Sequence, residues 1–385
     1  MKEKLNNLHH ETFSTNPSHT YFVPGRINLM GEQAEEMGCD TLSIAIDRGY
    51  YLGLSFGKEK RLQLNCEGCF AFTHEFELNK SKDYDPEKAL ENNVQGVLNK
   101  LLKEGHTFDQ GLDISIVTDF PGPHGFAQTP AFTYAVMFAL NDACDLGISN
   151  NKLVRFTDTV FKEYLGSMTR LHDLMTIAYS KANHATYIQG KTKDVELIPY
   201  SFKANQLYAF FPDKVHDDKL EKYKRRLRSA KNATMHFDDI RPIRTLCEFP
   251  YDLFNRFKSQ LHDEEERSVA EHIIFEHDRV KNAKDALQDN DLDWFIEYMN
   301  QSQKSLNLLF DLSTNDLNLI VDHTMVNEAL CSRISNRTTY KLVVTLFKEP
   351  QQETQLRDLV KEYEKLYKKK LHILDIQSAD GAHKY

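Results

Sequence analysis

Long apolar runs are missing from this chain: no stretch approaches the roughly 18 consecutive apolar residues that a membrane-spanning helix needs. Residues Met1 to Thr20 are polar and lack the apolar core of a secretion signal, so the cytoplasm is the expected compartment. Positive charge is also short. Lys and Arg number 48 against 57 Asp and Glu, for a formal net charge of -9. That balance leaves no footprint for nucleic acid or an anionic lipid surface, and a phosphorylated ligand would need cations gathered locally. Cysteine is sparse, with six scattered positions in 385 residues, a pattern that fits reduced thiols better than a disulfide framework. Cys66 and Cys69 stand at metal spacing, but no second pair or His cluster accompanies them, so they read as structural and no metal ligands are assigned.

What is present suffices for a two-domain globular protein: 41% of the residues are hydrophobic, and the length allows two cores. Acidic runs such as Asp263 to Glu266 read as solvated helix faces. The stretch Val23-Pro24-Gly25-Arg26-Ile27-Asn28-Leu29-Met30-Gly31-Glu32 is the most informative. A Pro-Gly turn would bring a cation, an amide and a carboxylate into one loop, ahead of the alternating strand Leu42, Ile44, Ile46. Arg26 offers a charged fork for phosphate or carboxylate and Glu32 an acceptor for polyol hydroxyls. A merely solvated surface turn is the competing reading.

Further along, Val94, Val97, Leu98, Leu101 and Leu102 form one helical stripe stopped by Gly105. A strand over Leu112, Ile114 and Ile116 runs into Pro121-Gly122-Pro123-His124-Gly125, and a helix follows from about Pro130 to Leu146. Another helix begins near Met168 and carries Arg170-Leu171-His172-Asp173-Leu174-Met175.

Three of these stretches resemble the galactokinases of the GHMP small-molecule kinase superfamily. The first is similar to Pro-Gly-Arg-Val-Asn-Leu-Ile-Gly-Glu-His-Thr-Asp-Tyr through Glu32, after which Gln33 replaces the family His and Glu35 the family Asp. The second falls at the phosphate loop Pro-x-Gly-x-Gly-Leu-Ser-Ser-Ser-Ala. Here Pro123 and Pro130 remove amide donors, and Ala127 and Gln128 replace two of three hydroxyl residues. The third aligns Asp173 with the family's catalytic aspartate, with Arg170 in place of a Gly and Leu174 in place of a Gln. The helix around His272 to Val280, the helix from Leu292 to Leu306 and the Tyr223 region also resemble family segments. The glycines expected after Arg333 are Asn336, Thr338, Tyr340 and Lys341.

The resemblance implies an α+β, two-domain GHMP kinase-like fold. An N-terminal domain like ribosomal protein S5 domain 2 would cover residues 1–200, with the sugar and phosphate-loop motifs. A ferredoxin-like domain would cover 201–385, with a ligand cleft between them. It also implies Asp173 and Arg26 as catalytic residues and Glu32, Gln33, Glu35, Arg170 and Tyr223 as substrate contacts. His124, Gly125, Gln128 and Thr129 would form a degenerate nucleotide loop. The expected function is a galactokinase-like protein, impaired or silent in catalysis, that binds a sugar or related metabolite. The alternative is an active ATP-dependent sugar 1-kinase. ATP and Mg would be needed only if it is active, and a protein partner is expected only for a regulatory role.

Overall fold

A computed structural model describes residues 1–68, 71–122, 125–200, 206–213, 220–335, 341–351 and 353–385. Cys69, Pro123, His124 and the glycine-poor positions 336–340 lie outside the described residues. The chain begins with α1 (Lys2–Phe13), β1 (His19–Met30), β2 (Thr41–Gly57), β3 (Arg61–Glu67), β4 (Phe72–Glu77) and α2 (Leu90–Lys103). It continues through β5 (Gly111–Thr118), α3 (Gln128–Ala143), α4 (Asn150–Thr159) with a π-helical turn at Val160–Tyr164, and α5 (Leu171–Tyr179). Then follow β6 (His184–Ile188), β7 (Val195–Pro199), β8 (Leu207–Pro212), α6 (Leu220–Asp238), α7 (Tyr251–Phe257), α8 (Glu264–Gln288), α9 (Leu292–Ser305) and α10 (Asn315–Val326). Last come β9 (Ala329–Ser335), β10 (Leu342–Phe347), α11 (Glu353–Tyr367), β11 (Leu371–Asp375) and β12 (His383–Lys384).

These elements divide into two compact units that are interleaved along the chain. One holds residues 1–26, 45–180 and 379–385, the other 27–44 and 181–378. The single division at 200 expected from the sequence does not follow that interleaving.

In the first unit the strand order is β12-β1-β2-β5-β3-β4. β2 and β5 are antiparallel, with Leu52 opposite Ile116, while β3 runs parallel to β5, with Leu64 opposite Ile114. Period-2 alternation divides β5 between two faces. Ser115 and Val117 meet α1, where Leu5 and Leu8 pack on Val117 and His9 bridges Ser55 and Ser115 at 2.8 and 3.1 Å. Ile114 and Ile116 are fully buried. Tyr50 and Phe72 meet Phe132 of α3 edge to face. Pro24 and Gly25 lie inside β1 and make no turn, contrary to the sequence reading. Glycine is required at position 25 because a Cβ would come within 2.6 Å of the Phe120 ring and 2.8 Å of the Phe126 carbonyl oxygen.

The second unit is built on the antiparallel sheet β11-β8-β10-β9. Val343 of β10 sits between Phe210 of β8 and Ile334 of β9. α8 packs against α6 and α9, α9 and α10 against β9, and α11 against α10 and β11. The start of β2 also belongs to this unit, where Thr41 to Ser43 pair with β6 and β6 pairs with β7. Asp263 and Glu264 are exposed, as expected of a solvated helix face. Asp263 caps α8 by accepting from the Glu266 amide at 3.0 Å, and Arg226 is buried against Glu265 at 3.0 Å and Asp311 at 3.3 Å. Among the described residues no helix is long and apolar enough to cross a membrane.

Candidate functional site

Two buried polar clusters contain most of the residues singled out in the sequence. In the first unit Arg26 leaves β1 with only 5% of its surface exposed, and Asp173 sits in the first turn of α5 with 3% exposed. One carboxylate oxygen, Asp173 Oδ1, accepts from Arg26 Nε at 2.8 Å and lies 2.6 Å from Nη2. Desolvating two charges is costly, and only close pairing makes the arrangement tolerable. Asp173 Oδ2 faces Arg170 Nη1 at 4.0 Å. The turn leading into α5 is fixed by Asp158, whose Oδ1 accepts from the Arg170 amide at 2.7 Å and the Thr169 hydroxyl at 2.8 Å. The result is an anchored carboxylate at a helix N-terminus, a geometry able to orient a hydroxyl group.

Arg26 also touches the loop before α3. Its amide donates to the Phe126 carbonyl at 3.0 Å, and Nη1 approaches the Gly125 carbonyl at 3.5 Å. Gly122 and Gly125 take positive φ, and Ala127, the N-cap of α3, is left-handed at φ 57 without a side-chain cap. The Gln128 side-chain amide is buried and donates to the Gly122 carbonyl. The Thr129 carbonyl accepts from Thr133 Oγ1 at 2.8 Å. His124, also expected at this loop, lies outside the described residues.

In the second unit Glu32, 1% exposed, accepts from Arg333 Nη1 at 2.8 Å through Oε1. Its other oxygen, Oε2, is buried with no hydrogen-bond partner among the described residues. Arg333 is itself 1% exposed and is held by Ser302 Oγ at 2.8 Å and Glu276 Oε1 at 3.4 Å. Glu276 further accepts from Ser302 Oγ at 2.6 Å, the Gly31 amide at 3.1 Å and Arg279 Nε at 3.0 Å. Burial alone would raise the Glu276 pKa, but the adjacent Arg279 and Arg333 outweigh it and hold the carboxyl down to about 2. Burial opposes charge on Arg333, whereas Glu32 and Glu276 favour it, and the net effect strengthens its cationic form.

The connection bearing Glu32 is tightly folded. Gly31 has φ +88 and lies so close to the Asp40 carbonyl that a Cβ would approach it to 2.3 Å. Gln33 is fully buried, its amide 3.5 Å from Glu32 Oε1 and its carbonyl 3.4 Å from the Tyr223 hydroxyl. Glu35 opens a 3₁₀ turn over Glu35–Met37 and is 6% exposed.

Thus Arg26, Asp173 and Arg170 meet in one unit, and Glu32, Gln33 and Tyr223 in the other. Arg333, Glu276, Ser302 and Asp158 were missed as site residues. Arg333 carried two sequence signals, its place at the head of the family-like segment and a lone charge within the otherwise uncharged strand Ala329–Ser335.

The galactokinase galactose-binding signature matches residues 7–56. The galactokinase of Streptococcus thermophilus is 26% identical over 321 residues, covering 82% of this chain and 81% of the relative. That of Levilactobacillus brevis is 26% identical over 315 residues, with 81% of each covered. The crystal structure of Lactococcus lactis galactokinase complexed with galactose superposes with a TM-score of 0.90 at 21% identity, covering 100% of this chain and 99% of that one. Methanococcus jannaschii mevalonate kinase follows at 0.62 and 17% identity, with 94% and 99% covered. A matched signature over the Glu32 segment, relatives aligned across four-fifths of the chain and a fold shared end to end converge: the chain is similar to the galactokinases in sequence and has their fold.

Proposed function

We propose that the protein binds a galactose-like sugar and that its capacity for phosphoryl transfer is impaired. Sugar binding is supported by Glu32, whose Oε2 is buried and aimed at no protein donor among the described residues while Arg333 fixes the other oxygen. A sugar hydroxyl would satisfy that acceptor. The same loop lies in the galactose-binding signature, and the Lactococcus lactis relative is complexed with galactose. Gln33, Glu35 and Tyr223 of the same unit are the further substrate contacts we assign.

The observation that carries the impairment is the N-terminus of α3. A nucleotide triphosphate with Mg would need free amides and hydroxyls there. Pro130 has no N–H, Ala127 has no hydroxyl, and the Gln128 amide is turned onto the Gly122 carbonyl. Thr129 and Gly125 remain, but the described residues do not fit the group. Losing one preorganised donor costs roughly 3 kcal/mol, or about a hundredfold in rate. No phosphoryl-transfer step is therefore assigned.

A second reading, an active ATP-dependent sugar 1-kinase, is favoured by the intact Arg26–Asp173 pair. In it Asp173 would orient or deprotonate the acceptor hydroxyl and Arg26 would hold the carboxylate in place. Calorimetry with ATP and Mg, beside a galactose-dependent ADP-release assay, separates the two. We expect weak or absent ATP binding and no ADP above background. A dissociation constant in the low micromolar range with galactose-dependent turnover selects the active kinase instead.

A further inference from the structure

Sparse, scattered cysteine suggested reduced thiols, but Cys39 and Cys247, 208 positions apart, are joined by a disulfide in the second unit. Their Cα atoms are 5.5 Å apart, within the range that a bridge needs without backbone movement. Cys39 is fully buried at the end of the connection that carries Glu32, Gln33 and Glu35. Its amide donates to the Ala34 carbonyl at 3.3 Å, and the Met37 amide reaches the same carbonyl at 2.9 Å. Cys247 is half-buried in a 3₁₀ turn, Leu246–Glu248, that packs on α6 and α8.

The two sulfurs are not equally reachable. A cavity of about 410 Å³ is lined by Gly38, Asp40, Gly190, Arg244, Cys247 and His277, among others, whereas Cys39 does not line it. We propose that Cys39 and Cys247 form a reversible thiol–disulfide switch, reached through this cavity at Cys247, that clamps the Gly31–Asp40 connection when oxidised and releases it when reduced.

For oxidation we name a peroxide. The Cys247 thiol releases its proton, the thiolate attacks one oxygen of hydrogen peroxide, the O–O bond breaks, and a sulfenic acid and a hydroxide result, the hydroxide taking up that proton to leave as water. The Cys39 thiol then attacks Cys247 Sγ, the S–O bond breaks, and a second water leaves with the Cys39 proton. Two thiols have lost two electrons and the peroxide has gained them. For reduction, a small thiol attacks the reachable Cys247 Sγ and expels Cys39 as a thiolate that takes up a proton. A second small thiol then frees Cys247 and leaves as the disulfide of the two.

A metal ion is the rival occupant. His277 Nδ1 and the two sulfurs all lie within 4.8 Å of one another. The set supplies three donors, whereas structural zinc takes four. Asp40, the nearest carboxylate at 3.8 Å from His277, is engaged by the Gly190 amide at 2.7 Å and by the Tyr187 hydroxyl. The observations favour the sulfur–sulfur bond.

The switch stands apart from the function proposed above, and only its effect on sugar binding rests on that reading. The test uses the full chain, treated with hydrogen peroxide or dithiothreitol and then freed of reagent. Peptide mapping should find the Cys39–Cys247 disulfide only after peroxide, and free thiols in the unfolded protein should fall from six to four. Amide exchange in residues 31–40 should be about tenfold faster in the reduced form, as release of a local constraint requires. The variants Cys247→Ser and Cys247→Ala should exchange at the reduced rate in both conditions; the wild-type comparison stands even if neither folds. Galactose binding, followed by thermal shift, should respond to redox state in the wild type and not in the variants. Thiols that stay at six after peroxide overturn the switch. So does a bond that native protein keeps in excess dithiothreitol, or one retained equivalent of zinc that shields both thiols. Redox-dependent exchange with no thermal shift by galactose in either form keeps the switch and rejects galactose binding, whereas an equal galactose shift in both forms keeps the switch and the sugar reading and rejects their coupling.

Discussion

Arg333 sets the energetics of the second cluster. A guanidinium with 1% exposure is stable only while Glu32, Glu276 and Ser302 hold it, and breaking a buried pair from one side leaves an uncompensated charge. Glu276→Gln should therefore cost about 3–5 kcal/mol, read as a lower urea midpoint. An unchanged midpoint would mean that Arg333 has other support. The pH dependence follows from the same logic. The folded pKa of Glu276 is depressed to about 2 from 4.5, so its contribution is complete above 4.5 and is lost as pH falls toward 2. His9 acts at higher pH. Burial lowers its folded pKa to about 4 from 6.5. Between those values the unfolded chain binds the proton and the native state does not, so stability falls as pH falls from 6.5 to 4, by about 3 kcal/mol in total. His9→Gln should flatten that part of a stability-against-pH curve without removing the steeper loss below it. An unchanged slope from pH 6.5 to 4 would exonerate His9.

At the scale of elements, the α3 N-terminus is where sequence and chemistry are most at odds. Gln128→Ser would remove the side chain that donates to the Gly122 carbonyl and add a hydroxyl, and Ala127→Gly would relieve a left-handed residue that favours glycine. The double variant should tighten ATP binding by about tenfold, since a hydrogen bond to a charged group contributes roughly 1.5–3 kcal/mol; no gain in calorimetry would place the defect elsewhere in the loop. Periodicity made α2, β5 and the start of β2 legible, because their apolar residues recur at helical or alternating spacing. It did not reveal α1, where only Leu5 and Leu8 are apolar and buried. It also misread Pro24-Gly25, because a glycine needed for close approach to Phe120 looks in sequence like one needed for a turn. Arg26 and Asp173 could be paired in advance only because two motifs 147 residues apart resembled one family. Cys39 and Cys247 carried no such signal, since nothing local marks a contact made across 208 positions.

For the molecule as a whole, ligand choice should appear as stabilisation of the folded state. Arg170 adds a cation 4.0 Å from Asp173, whose Oδ1 already takes Arg26. An anionic sugar should therefore raise the melting temperature more than a neutral one. A panel of galactose, galactose 1-phosphate and galacturonate checks this, and stabilisation by galactose alone would return the protein to the neutral-sugar class. The interleaving of the two units bears on a different matter, the order in which a ribosome delivers the chain. Tyr21 pairs with Lys384 across the β1–β12 ladder, so the first unit cannot complete its sheet until almost all of the second has been made. At 5–20 residues per second that is a wait of roughly 20–70 s. During it, the edge of β1 that β12 later covers offers unpaired backbone groups to any neighbouring nascent chain.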